Sequence, residues 1–70
     1  MKIELLEKMI ELCEQRDSYE NSINSYQWSI DFGMVGEFPQ LVRKFKHRIN
    51  LHKVYIEFLN DKLNRLKLEL

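Results

Sequence analysis

Apolar positions recur along the chain in alternating steps of three and four, in two series. The first runs through Leu5, Met9, Leu12, Arg16, Tyr19, Ile23, Tyr26 and Ile30. The second runs through Val42, Phe45, Ile49, His52, Ile56, Leu59, Leu63, Leu66 and Leu70. Such spacing, held over about four heptads each time, marks two long amphipathic helices with coiled-coil-like seams. No segment keeps the alternate-residue period of a strand. Residues 31–39 (DFGMVGEFP) break the pattern. There Gly33 suits a left-handed helix end, Gly36 allows a second unusual backbone angle, and Pro39 fits the first turn of a new helix.

The prediction is all-α: a single domain over residues 1–70, with a helix at about 2–31, a loop at about 32–37 and a helix at about 38–68. A connection this short folds two long helices into an antiparallel hairpin. The loop favours a register in which facing residue numbers sum to 68, as in 12 with 56 and 16 with 52. Leu12 then faces Ile56, Tyr19 faces Ile49, Tyr26 faces Val42 and Arg16 faces His52.

Other apolar residues fall outside these seams. Ile3, Leu6, Ile10 and Cys13 make a second stripe on the first helix, and Leu41, Leu51, Tyr55 and Phe58 lie off the seam of the second. One neighbouring helix cannot cover faces this broad. The expected cover is a second copy, giving a homodimer and a four-helix bundle; the alternative cover is another protein.

Composition narrows the class without naming a task. The 70 residues are 44% hydrophobic and 31% charged, values of neither a disordered nor a membrane chain. No apolar run approaches the roughly 20 residues that span a bilayer, so no membrane association is expected. The first 17 residues mix acids with apolar residues and do not read as a targeting signal. One cysteine, Cys13, allows no intrachain disulfide and suits a reducing, cytoplasmic setting. Small size and the absence of Ala suggest a regulator, adaptor or inhibitor encoded by a phage or mobile element.

Charge is balanced overall and divided between the halves. Residues 1–37 carry three basic and eight acidic side chains, net −5; residues 38–70 carry eight and three, net +5. No acid occurs from Phe38 to Ile56, where Arg43, Lys44, Lys46, His47, Arg48 and Lys53 gather. With Tyr19 and Tyr26 across the hairpin, this patch is a candidate anion surface, basic groups for phosphates and rings for bases. Nucleic acid or a nucleotide is therefore the alternative ligand. The plainer reading is a solvated basic face, or partners for Glu4, Glu7, Glu11 and Glu14 of a neighbouring subunit.

Arg16 and His52 interrupt the seams, and Glu20 follows Arg16 by one turn. They read as a polar layer that fixes register and association state, and replacing His52 by Leu should stabilise the fold while loosening that specificity. Trp28, Phe32, Met34 and Phe38 surround the loop, where they either plug the bundle end or dock a partner.

Catalytic signals are thin. His47 and His52 stand five apart, so they do not share a helical face as a metal pair would. Cys13 has no basic neighbour in sequence to activate it and reads as a structural thiol. Only Arg16, Arg48, Glu20 and His52 could converge into an enzyme-like site. The expectation is a non-enzymatic interaction protein without cofactor or metal.

Overall fold

A computed structural model of the chain describes residues 2–33 and 35–70. Two α-helices, α1 (Lys2–Asp31) and α2 (Pro39–Lys67), run antiparallel side by side. The molecule is a rod of 53 × 14 × 12 Å. Its radius of gyration is 15.8 Å, against about 11 Å for a compact chain of this length.

The helix ends follow from local chemistry. Gly33 adopts φ +71°, and its N–H bonds the Ile30 carbonyl at 3.2 Å while the Phe32 N–H reaches Trp28 O at 3.0 Å. Beyond it the chain makes two tight turns, Gly36 N–H to Gly33 O at 3.3 Å and Phe38 N–H to Val35 O at 2.9 Å. Gly36 does not have a positive φ; among the described residues Gly33 is the one that does. Pro39 opens α2, whose N-cap residue Phe38 offers no side-chain hydrogen bond to the first turn. Arg65 and Lys67 occupy the last turn, where the exposed carbonyls favour positive charge.

The core is narrow. Leu12, Leu59 and Leu63 form its buried centre, with Met9, Cys13, Tyr19 and Leu66 packed against them. Towards the loop the seam becomes aromatic: Tyr19 lies 5.2 Å from His52, and Tyr26 lies 4.9 Å from Phe45. Ile49 and Val35 are buried at that end.

These contacts correct the expected register. Leu12 meets Leu59 rather than Ile56, Tyr19 meets His52 rather than Ile49, and Tyr26 meets Phe45 rather than Val42. Each partner lies three residues further along α2, a slip of about 4.5 Å at 1.5 Å per residue. Two seams of 3-4 spacing interdigitate equally well when displaced by half a heptad, and in the displacement adopted Val35 is buried at the loop end.

Candidate functional site

The shift separates the residues expected to form one polar layer. Arg16 does not face His52; its guanidinium donates to Asn60 Oδ1 at 3.1 Å, and its nearest acid is Asp17 at 3.9 Å. Glu20 points into solvent and takes no part in that bond. His52 instead sits among tyrosine rings, 5.2 Å from Tyr19, 6.0 Å from Tyr26 and 6.1 Å from Tyr55. Its Nδ1 is inaccessible and has no hydrogen-bond partner among the described residues.

The candidate anion surface is exposed but not assembled as expected. Arg43, Lys44, Lys46, His47, Arg48 and Lys53 all reach solvent. Among the described residues, none of these six lies within ion-pair distance of an acid. The rings meant to accompany them are half-buried, Tyr19 against His52 and Tyr55 and Tyr26 against Phe45. Both rings therefore pack in part against side chains of α2.

At the loop end, Trp28 and Phe32 stack at 5.0 Å and remain 52% and 69% exposed. Phe38 is also exposed. These three do not plug the end of the hairpin; Val35, which belongs to the same apolar cluster around the loop, is buried there. Met34 lies outside the described residues.

Two concavities of the rod lie along a single helix, while another, at the open end of the hairpin, is lined from both halves of the chain by Lys2, Glu4, Leu5, Lys8, Leu66 and Glu69. Of the first two, one is lined by Glu14, Asp17, Ser18, Asn21, Ser22 and Ser25, all of α1, and the other by Val54, Glu57, Phe58 and Asp61, all of α2. A groove formed by one helix's own side chains cannot enclose a substrate. Among the described residues no cluster of His, Cys, Asp or Glu could hold a metal ion, and no helix is long and apolar enough to cross a membrane. Arg16, Glu20, Arg48 and His52 do not converge: the Arg16 bond to Asn60 and the contacts of His52 with Tyr19 and Tyr55 mark opposite sides of the seam.

Those two sets of contacts locate the remaining apolar surface. Leu6, Cys13 and Glu20 recur every seven residues on the Arg16–Asn60 side, with Ile3, Ile10 and Asp17 next outward. Arg48, Tyr55 and Lys62 recur every seven residues on the Tyr19–Tyr55 side, with Lys44, Leu51 and Phe58 next outward. The hairpin thus carries one outer strip on α1 and another on α2, on opposite sides. Ile10 is 56% exposed in the first and Phe58 61% in the second. Seen from the sequence, both strips were visible as off-seam stripes; their opposite placement required the antiparallel geometry.

Comparison with protein-family models, with curated proteins and with solved structures gives no match to this chain.

Proposed function

We propose that the chain is a small, non-enzymatic protein-interaction module, a regulator, adaptor or inhibitor of the cytoplasm. In this reading it self-associates, with a four-helix homodimer as the smallest unit, and offers its remaining surface to another protein. The observation that carries the reading is the amount of unsheltered surface. The chain exposes 5731 Å², whereas a compact monomer of 8.6 kDa exposes about 4,700 Å². The large apolar side chains left exposed include Ile3, Leu6, Ile10, Trp28, Phe32 and Phe58, and exposed apolar surface of this kind marks interaction sites. Sedimentation equilibrium tests it: a mass above 8.6 kDa at micromolar concentration supports self-association, and a folded species of 8.6 kDa contradicts it.

A second reading, an anion-binding surface for nucleic acid or nucleotide, is favoured by the six basic side chains of residues 43–53 that have no acidic neighbour among the described residues. Filter binding to short RNA and DNA at rising salt decides it. Binding that weakens log-linearly with salt supports the surface. Absence of binding at low salt removes it.

A further inference from the structure

We infer that a second copy covers the outer strips head to tail, with the α1 strip of one molecule lying antiparallel along the α2 strip of the next. This deepens the self-association reading and rests on it, since it names the surfaces that meet. The inference comes from matching the two strips position by position. Read from the N-terminus, the α1 strip is Ile3, Leu6, Ile10, Cys13, Asp17, Glu20; read from the opposite direction, the α2 strip is Lys62, Phe58, Tyr55, Leu51, Arg48, Lys44. Laid antiparallel, a step of three on one strip faces a step of four on the other, so that facing positions stay within one residue of register along the strip.

In that register the chemistry agrees along the whole contact. Leu6 meets Phe58, Ile10 meets Tyr55 and Cys13 meets Leu51 of the neighbouring copy, apolar on apolar. Asp17 meets Arg48 and Glu20 meets Lys44, acid on base. Ile3 lies over the aliphatic stem of Lys62, whose Nζ already sits 4.7 Å above the Phe58 ring. The contact runs for about 26 Å, seventeen residues at 1.5 Å each. Sliding one copy by a heptad destroys the match. One direction sets Asp17 on Tyr55 and Glu20 on Leu51; the other sets Ile10 on Arg48 and Cys13 on Lys44. The register is therefore specified by both polarity and charge.

Like-with-like pairing lacks this agreement. Two α1 strips would meet with Glu7 and Glu14 beside both, and two α2 strips with Arg48 and Lys62 within both. Because the strips lie on opposite sides of the rod, a junction between two copies leaves one strip of each kind free at the two ends. Such a contact is heterologous and continues to a third copy.

Complementation tests the arrangement. Ile10→Glu disables the α1 strip and Phe58→Glu the α2 strip, and both residues are exposed and outside the core cluster. Circular dichroism confirms that each variant is folded, and light scattering reads the mass. Wild type is expected to exceed twice 8.6 kDa as concentration rises, each variant alone to stay at 8.6 kDa, and their equimolar mixture to form a species of twice that mass and no larger. The mixture has one intact junction and no more. A mixture that remains at 8.6 kDa while wild type associates overturns the head-to-tail contact and leaves self-association standing; a folded wild-type monomer overturns both. The charge exchange Asp17→Arg with Arg48→Asp provides an independent reading: each single change should lower the mass, and the double variant should recover it. Failure to recover sinks the register.

Discussion

Replacing His52 by Leu should raise stability, and the structure sets the size of the effect. His52 occupies the seam between Tyr19 and Tyr55 with Nδ1 shut away from solvent and without a hydrogen-bond partner among the described residues. A buried polar atom left unsatisfied costs about 1–3 kcal/mol. Leucine removes that cost and adds apolar contact. It also gives up the ring contact with Tyr19 at 5.2 Å, of a kind worth about 0.5–1.5 kcal/mol. The net gain is about 1 kcal/mol. For a domain of this size that corresponds to a rise of about 4–8 °C in melting temperature. Far-ultraviolet circular dichroism melts at matched protein concentration read it directly, since association makes the midpoint depend on concentration. An unchanged or lower midpoint would refute the assignment of Nδ1 as an unpaired buried group. If His52 also restricts association, light scattering of the Leu variant should show a broader distribution of masses.

Four other substitutions test the backbone and the core. Gly33→Ala should destabilise by about 1–2 kcal/mol because φ +71° is strained for any residue with a Cβ, whereas Gly36→Ala, whose Cβ would meet Gly33 O at an ordinary 3.6 Å, should be neutral or stabilising by about 0.4–1 kcal/mol in thermal melts. Phe38→Asp should add about 1 kcal/mol by giving α2 the capping oxygen it lacks, measured by urea unfolding. Leu59→Ala, at one of the three residues in the buried centre, should cost about 2–5 kcal/mol and appear as loss of cooperative melting.

Much of the architecture was legible because helices announce themselves through periodicity. Gly33 and Pro39 marked one end of each helix by backbone geometry alone, and α2 begins one residue later than the spacing suggested. The register was not legible. Seams of Leu5, Met9, Leu12 and Leu59, Leu63, Leu66 pack in more than one phase, and periodicity alone does not choose between them. That slip moved His52 from Arg16 to Tyr19 and gave Arg16 to Asn60, a residue that carried no signal beyond being polar. The exposed strips were visible from the start as excess apolar stripes. Which side each occupied followed from contacts that link residues 44 and 36 positions apart in sequence, Arg16 with Asn60 and Tyr19 with Tyr55.

The hairpin cannot hide its outer strips by folding back on itself, and analytical ultracentrifugation from low to high micromolar concentration measures the consequence most directly. The expected result is a weight-average mass that climbs above 8.6 kDa with helical content retained throughout. A single, well-folded sedimenting species that holds to one chain's mass over the whole range would contradict it.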